Sequence, residues 1–211
     1  MTTFLVLILS YLIGSIPWAL VIGLVFFHND IRKEGSGNLG GTNAGRVLGK
    51  SAGVSVTLLD ALKAFFSMML AHYLAPGTEI YAGLACCIGH CFPVFAHFKG
   101  GKAVATSYGF LLGITMFVTH QWFWNFFWAI GCFFTILYLF RMVSLASISA
   151  LGIEVITSFI LVLPGINSIS TALCLLLLWA FVTYRHKANL GRIASHTESH
   201  VKWMGRELWG K

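Results

Sequence analysis

The first apolar stretch of the chain extends from Phe4 to Phe27 and reads FLVLILSYLIGSIPWALVIGLVFF. It contains no charged residue and is longer than the roughly 20 residues that a helix needs to cross the ~30 Å hydrocarbon core of a bilayer. Its apolar residues are continuous rather than alternating with polar ones, which indicates a helix instead of a barrel strand. The stretch therefore predicts a helix that spans a membrane.

Composition extends this prediction to the whole chain. Of the 211 residues, 57% are hydrophobic and 10% are charged, and the mean hydropathy is +0.81. Soluble domains have roughly a quarter of their residues charged, so little room is left for a separate soluble domain. We predict an all-α integral membrane protein with a single membrane domain over residues 1–211. Its seven predicted spans cover residues 4–27, 53–73, 80–95, 103–119, 122–140, 145–163 and 169–184, and a polar, basic tail follows over 185–211.

The lysines and arginines predict the orientation of these spans. Of the 14 such residues, all except Lys63 lie in alternate connections or in the tail. The positive-inside rule assigns the connections that carry them to the cytoplasm. We therefore expect an external N-terminus, a cytoplasmic C-terminus and an odd number of spans.

The connection after the first span carries a glycine-rich cluster, GSGNLGGTN over residues 35–43, followed by Arg46. Repeated glycines let successive backbone N–H groups turn inward and form an anion-binding concavity. The spacing of Gly35, Gly37 and Gly40 also matches a dinucleotide-binding fingerprint, but no predicted strand precedes it, so that alternative is rejected. A plain connecting loop is the remaining alternative, and the density of donors favours phosphate binding. The side chains that would supply these donors are Ser36, Asn38, Thr42, Asn43 and Arg46.

A second cluster lies immediately before the fourth predicted span, where Lys99 and Lys102 bracket Gly100 and Gly101. A helix N-terminus with nearby lysines attracts anions through its unpaired N–H groups and its dipole. Neither Ser nor Thr follows Lys102, which excludes a nucleotide P-loop. Ordinary basic flanking of a membrane span explains this cluster equally well.

A third cluster follows the last span, where His186, Asn189 and Arg192 recur at three-residue intervals. This spacing predicts one shared helical face, which would suit a small phosphorylated polyol, and a solvated basic segment is the alternative. Ser144 lies on the same predicted side of the membrane. Because all three clusters lie at cytoplasmic ends of spans, we expect folding to bring them together as a site for two phosphates beside an acyl chain.

Charged residues inside predicted spans are costly and need partners. We expect Asp60 and Lys63 to pair with each other, with the phosphate site as an alternative partner for Lys63. For Glu154 the sequence shows no partner, and a structural hydrogen bond is favoured over catalysis. All five cysteines lie in apolar stretches. Cys87, His90 and Cys91 could share a helix face, but no fourth ligand accompanies them, so we expect neither a metal nor a disulfide.

Taken together, the three clusters resemble the acyl-phosphate:glycerol-3-phosphate acyltransferase family, PlsY. The resemblance covers nearly the whole chain, and the motifs occur in the same order as in the family. The GSIP stretch over residues 14–17 and the region around Ser144 also resemble it. This sequence departs from the family at Gly41, where alanine is usual, at Ala103, where glycine is usual, and by lacking the glycine that commonly precedes Glu198. The motifs that carry the resemblance are Ser36-Gly37-Asn38-x-Gly40-x-Thr42-Asn43-x-x-Arg46, Phe98-Lys99-Gly100-Gly101-Lys102 and His186-x-x-Asn189-x-x-Arg192.

The resemblance implies a multi-pass enzyme of the bacterial plasma membrane with its site on the cytoplasmic side. It implies acyl transfer from acyl phosphate to the 1-hydroxyl of glycerol 3-phosphate, giving lysophosphatidic acid and phosphate. It further implies no cofactor, no metal and no nucleic-acid partner, with membrane lipid as the surroundings; the oligomeric state is left open, and a monomer is compatible with the sequence. The residues implied as catalytic are Ser36, Lys102 and His186. Those implied in substrate binding are Gly37, Asn38, Gly40, Thr42, Asn43, Arg46, Lys99, Gly100, Gly101, Ser144, Asn189 and Arg192.

An acyl phosphate is already an activated anhydride, so its reaction needs positioning and charge stabilisation more than a covalent nucleophile. We expect direct attack by the glycerol hydroxyl, with His186 or a substrate phosphate oxygen as the proton acceptor. An acyl-enzyme on Ser36 is a lesser alternative. No histidine is followed by Asp at the His-x-x-x-x-Asp spacing of other glycerolipid acyltransferases. A transporter of a phosphorylated metabolite and a lipid-binding scaffold are the alternatives from other classes.

Overall fold

The computed structural model describes residues 1–201, and within them the regular secondary structure is entirely helical. Tighter single turns lie at Ile31–Lys33 and Val94–Ala96, and wider turns at Thr115–Thr119 and Phe123–Phe127. The α-helices are α1 Thr2–Gly14, α2 Trp18–Phe27, α3 Gly41–Val47, α4 Lys50–Leu74, α5 Glu79–Cys91, α6 Val104–Ile114, α7 Trp128–Phe140, α8 Val143–Ile160, α9 Ile169–Arg185 and α10 Lys187–Ala194.

The chain forms two compact units, Met1–Val118 and the described part of Thr119–Lys211. The first contains α1 to α6, and the second contains α7 to α10. The single membrane domain expected over residues 1–211 stays a prediction. Of the predicted tail, α10 accounts for the first part, and residues 202–211 lie outside the described residues.

Each of the seven predicted spans falls on helical structure. Four helical segments of the described chain are long and apolar enough to cross a membrane, and two bent helix pairs raise the number to six if each pair is one span. The helix over Val104–Thr119 is shorter. The number of seven crossings and their orientation therefore stay predictions. The four long segments are Lys50–Leu74, Glu79–Ala96, Phe123–Phe140 and Val143–Ile160.

The first predicted span is broken rather than continuous. Its two halves, α1 and α2, meet at an angle of 44°. Pro17 precedes α2, and because proline has no N–H it removes a hydrogen bond from the helical ladder. A break at membrane depth requires other partners for the freed backbone groups. Lys63 of α4 supplies one, since its Nζ donates to the Ile16 carbonyl oxygen at 3.2 Å.

Glycines hold the helices of the first unit close together. A Cβ atom at Gly109 of α6 would overlap the backbone of Ala61 in α4, and one at Gly89 of α5 would overlap the Tyr11 carbonyl of α1. Without a hydrophobic driving force inside lipid, such close backbone approach supplies the packing that holds helices together.

The second unit packs α8 against both α7 and α9. Asn125 and Asn167 exchange side-chain hydrogen bonds at 3.1 and 3.2 Å, and Asn167 also donates to Ser158 at 3.0 Å. The hydrogen bond expected for Glu154 is wrong: the residue is fully buried in α8, and neither carboxylate oxygen has a hydrogen-bond partner within residues 1–201. No polar side chain of the described unit lies close enough to its oxygens, which a sequence pattern alone cannot reveal.

Two glycine substitutions separate tight packing from helix propensity. We expect Gly109→Ala to lower the free energy of unfolding by about 1–3 kcal/mol, because the added methyl group meets backbone that cannot move aside. The matched control is Gly131→Ala in α7, where a Cβ atom would meet nothing within 4 Å. That variant should be neutral or stabilised by up to about 1 kcal/mol.

Thermal unfolding in detergent measures both variants. All five cysteines are free, and four of them are buried, so a thiol-reactive fluorophore reports unfolding directly. Equal melting temperatures for the two variants would contradict the packing role of Gly109.

Candidate functional site

The glycine-rich loop of the first unit is organised by one buried side chain, Asn43. Its Oδ1 accepts a hydrogen bond from the Ser36 backbone N–H at 2.8 Å, and its Nδ2 donates to the carbonyl oxygens of Glu34 and Ile31 at 3.2 and 3.4 Å. Asn43 is 1% exposed. The amide therefore shapes the loop from inside, and the substrate-binding role predicted for it stays a prediction.

Two glycines of the loop adopt backbone angles that other residues avoid. Gly35 has φ +58° and Gly37 has φ +66°, in the left-handed region where a Cβ atom is unfavourable. At Gly35 a Cβ atom would also overlap Oδ1 of Asn43. The loop shape and the Asn43 hydrogen bonds thus depend on each other, and together they leave Ser36 exposed.

Two arginines flank this loop and differ in their contacts and exposure. Arg32 is engaged with Asp30, because its Nε and Nη2 each donate to the Asp30 carboxylate at 2.8 Å. The hydrogen bond from Arg32 lowers the pKa of Asp30 from 3.8 to about 2. Arg46, in contrast, is exposed in the last turn of α3. The substrate-binding role predicted for Arg46 stays a prediction.

The second cluster folds as a tight turn against the end of α5. Gly101 N–H donates to the His90 carbonyl at 3.1 Å, and Gly100 N–H donates to the Cys91 carbonyl at 3.3 Å. A Cβ atom at Gly101 would overlap the His90 ring and would also lie 2.8 Å from the Leu39 carbonyl of the glycine-rich loop. The first and second clusters therefore adjoin within the first unit.

The two lysines of this turn differ in exposure: Lys99 is exposed, and Lys102 is half-buried just before α6.

Both single-residue departures from the family pattern have structural correlates. At Gly41 an alanine Cβ would overlap Oγ1 of Thr57, which donates to the Gly53 carbonyl at 2.8 Å. Ala103, the residue before α6, has φ +56°, in the left-handed region that costs a residue with a Cβ atom about 1 kcal/mol. The usual glycine there would be unstrained.

A buried charged group lies next to the second cluster and was only partly predicted. Asp60 and Lys63 form the expected ion pair, at 2.8 Å between Oδ1 and Nζ. Lys63 Nζ also lies 2.8 Å from Nδ1 of His90. Sequence reasoning missed His90 as a partner because it belongs to another helix, 27 residues further along the chain.

The third cluster gathers around Glu198 in the second unit. The Glu198 carboxylate accepts hydrogen bonds from Ser144 Oγ at 2.7 Å, Asn189 Nδ2 at 2.6 Å and Arg192 Nε at 2.8 Å. A backbone hydrogen bond from Thr197 to Arg192 at 2.8 Å turns the chain back after α10 and carries Glu198 to this place. Glu198 was absent from the predicted site residues, although it lies only six residues beyond Arg192, where the third motif ends.

The Glu198 carboxylate titrates away from its ordinary range. Partial burial raises its pKa, but the hydrogen bonds from Ser144, Asn189 and Arg192 outweigh burial, so the pKa is lowered from 4.5. The group is therefore ionised near neutral pH and holds two predicted ligands, Ser144 and Asn189, in fixed orientations.

His186 lies at the bend between α9 and α10, which meet at 62°. It is buried, and its Nδ1 lies 2.7 Å from the Val182 carbonyl oxygen. Because a carbonyl oxygen only accepts, Nδ1 carries a proton, and in the neutral ring Nε2 carries the lone pair. Of the three residues predicted to share a face, the structure brings Asn189 and Arg192 together at Glu198, whereas this hydrogen bond of His186 is to the preceding helix.

The fold defines a class: over residues 1–201 the chain has only helical regular structure, and its helices are long and apolar enough for a membrane protein. The chain matches a family model described as glycerol-3-phosphate acyltransferase over residues 4–196. It therefore belongs to the glycerol-3-phosphate acyltransferase family, as its motifs predicted, and is a membrane acyltransferase of phospholipid synthesis. The transporter and scaffold alternatives are thereby set aside.

Curated relatives and solved structures agree with this family. The chain is 44% identical to "Glycerol-3-phosphate acyltransferase 3" of Bacillus anthracis over 209 residues, 98% of each sequence. It is 42% identical to a glycerol-3-phosphate acyltransferase of Geobacillus kaustophilus, over 97% of this chain and 98% of the relative.

Two crystal structures of PlsY (YgiH), an integral membrane glycerol 3-phosphate acyltransferase, share the fold. The glycerol 3-phosphate form has a TM-score of 0.83 and 32% identity, covering 95% of this chain and 96% of that one. The lysophosphatidic acid form has a TM-score of 0.81 and 31% identity, covering 95% of each chain.

Replacing Glu198 by Gln tests its anchoring role. A lowered pKa means that the carboxylate stabilises the folded chain above its unfolded pKa of about 4.5, and that this stabilisation is lost as the pH falls through the folded value. We expect Glu198→Gln to destabilise the protein at pH 7 by about 1–2 kcal/mol. The difference from the unsubstituted protein should shrink as the pH is lowered past 4.5.

Melting temperatures measured from pH 7 down to pH 3 give this difference. The exposed Glu34, replaced by Gln, is the control and should shift stability by no more than about 0.5 kcal/mol. A Glu198→Gln effect that stays constant over the whole range would contradict the assignment.

Proposed function

We propose that the chain transfers a fatty acyl group from acyl phosphate to the 1-hydroxyl of sn-glycerol 3-phosphate, giving lysophosphatidic acid and inorganic phosphate. We place this reaction at the cytoplasmic face of the bacterial plasma membrane, in a protein of seven spans with an external N-terminus. The distribution of basic residues supports the orientation. The glycerol 3-phosphate and lysophosphatidic acid forms of the PlsY neighbour support the acceptor and the product.

One observation supports the two-phosphate chemistry most directly. The glycine-rich loop and the turn before α6 adjoin at Gly101, which lies between the His90 ring and the Leu39 carbonyl. Two elements of the kind that bind phosphate thus adjoin in the first unit, with exposed Ser36 and Arg46 on or near one element and half-buried Lys102 at the end of the other.

In the proposed reaction the glycerol oxygen attacks the acyl carbon, and a new C–O ester bond forms. The acyl–phosphate C–O bond then breaks, its electron pair leaves on phosphate, and the proton of the hydroxyl passes to a base.

Ser36 and backbone N–H groups of the loop would stabilise the developing oxyanion, and Arg46 and Lys102 would balance the charge of the phosphate groups. Asn38 and Thr42 add donors, and Lys99 adds positive charge at the surface. Gly37 and Gly40 allow the close approach.

The residues of the second unit fit the acceptor. Glu198 holds the Asn189 and Ser144 side chains, and it engages Arg192 through Nε. The Arg192 side chain is 44% exposed, so its terminal N–H groups can bind a phosphate oxygen. We propose that these residues bind glycerol 3-phosphate or the departing phosphate. With Nδ1–H bound to Val182, Nε2 of His186 is the candidate acceptor for the hydroxyl proton.

Purified protein in detergent tests the reaction. Given palmitoyl phosphate and glycerol 3-phosphate, it should release phosphate and lysophosphatidic acid in equal amounts, whereas an acyl thioester donor should give neither. Arg46→Ala should reduce kcat/KM by about 10²- to 10³-fold, since a charged donor to the phosphate is lost. Lys50→Ala is the matched control, because Lys50 is an exposed lysine at the start of α4 and carries no proposed role. Absence of both products with acyl phosphate would overturn the proposal.

Two substitutions of His186 test the proton acceptor. Asn preserves a donor to the Val182 carbonyl and lacks an Nε2 position, whereas Gln places an amide near Nε2 that cannot take up a proton. If Nε2 accepts the proton, kcat falls by about 10²- to 10⁴-fold in both. Near-normal kcat for His186→Asn at saturating substrate would instead assign the proton to a substrate phosphate oxygen.

A further inference from the structure

Three buried polar residues of the first unit form a connected group that the proposed reaction does not use. Asp60 and Lys63 of α4 and His90 of α5 have side chains that are 2%, 3% and 6% exposed. Lys63 Nζ lies 2.8 Å from Asp60 Oδ1 and 2.8 Å from His90 Nδ1, and the latter is 3.4 Å from Asp60. Burying a charge is unfavourable until pairing offsets it, so apolar residues would fill a packing role at a lower cost in free energy.

The Lys63 ammonium has three polar neighbours. It is ion-paired with Asp60 Oδ1, and it lies within hydrogen-bond distance of His90 Nδ1 and of the Ile16 carbonyl oxygen at the break between α1 and α2. An ammonium group only donates, so His90 Nδ1 must accept, and the proton of the neutral ring is on Nε2. The alternative in which Lys63 reaches for phosphate is therefore not supported.

The other edge of the His90 ring faces the second cluster. Its Nε2 and Cε1 atoms fill the space beside Gly101 that a Cβ atom would need, and the His90 carbonyl accepts the Gly101 N–H at 3.1 Å. The ring is thus fixed on one edge by Lys63 and supports the turn with the other. Lys102 is the next residue of that turn.

We propose that Asp60, Lys63 and His90 are positioning residues that fix the Gly100–Gly101 turn and, through it, the place of the Lys102 side chain. The inference rests on the proposed role of Lys102 in binding phosphate. Asp60 orients the Lys63 ammonium, Lys63 locks the His90 ring, and His90 sets the backbone of Gly101. Because misplacing a catalytic group by about 1 Å can lower a rate 10²-fold, such a support acts on turnover without touching substrate.

The test is a double-mutant cycle in the full-length protein. The pair Asp60→Asn with Lys63→Met removes both charges and roughly conserves volume, so the melting temperature should change little. We expect kcat/KM with acyl phosphate and glycerol 3-phosphate to fall by about 10- to 100-fold. In a Lys102→Gln background, which keeps a hydrogen-bond donor and is expected to keep measurable activity, the same pair should lower kcat/KM by less than about threefold.

A second variant and a control guard against simple misfolding. His90→Asn retains an acceptor near Nδ1 for Lys63 but withdraws the ring from Gly101, and it should show the same non-additivity with Lys102→Gln. Asn125→Ala breaks a buried polar pair of the other unit, and any effect it has on activity should multiply unchanged with Lys102→Gln.

The outcomes separate this inference from the proposed function. Normal activity of Lys102→Gln would overturn the proposed role of Lys102 and with it the positioning role, while acyl transfer itself would stand. A strong loss in Lys102→Gln with normal activity in the charge-removed pair and in His90→Asn would overturn the positioning role alone. Loss in these variants that combines additively with Lys102→Gln would likewise overturn it, since a general structural defect behaves in that way.

Discussion

Inside a bilayer a charged side chain has to find its partners within the protein, and in this chain Lys63 meets that requirement through three segments at once. Its ammonium group joins α4 to the broken α1–α2 span at Ile16 and to α5 at His90. The break at Pro17 leaves backbone groups that need donors, and the lysine needs acceptors. The lysine and the helix break therefore stabilise each other. His90, another partner of the lysine, packs against the turn that carries Lys102.

Glycine serves two separate purposes around this interaction. At Gly89 and Gly109 it lets helix backbones approach closely, α5 to α1 and α6 to α4. At Gly35 and Gly37 it supplies left-handed backbone angles, and the Asn43 amide holds the resulting loop. Packing glycines and loop glycines look alike in the sequence. A side chain at the packing glycines would clash with neighbouring backbone, whereas a side chain at the loop glycines would disfavour the left-handed φ that the loop requires.

Hydropathy predicted the helical segments well, because the free energy of placing apolar residues in lipid depends on local composition. The three motifs likewise predicted the family. The break in the first span was not predicted, since a proline inside an apolar run can kink, end or merely begin a helix. The partnership of His90 with Lys63 and the central place of Glu198 were missed because each depends on a tertiary contact. The hydrogen bond predicted for Glu154 was wrong because, among the described residues, its carboxylate oxygens have no hydrogen-bond partner.

Thr57 and Gly41 show how a departure from the family pattern is accommodated. The threonine hydroxyl occupies the space that an alanine methyl at position 41 would take, and it is held there by the Gly53 carbonyl. The two positions are thus coupled through excluded volume, because a methyl group at position 41 would require the Thr57 hydroxyl to leave this place. The effect of changing either residue therefore depends on the residue at the other position, which is epistasis between the glycine-rich cluster and α4.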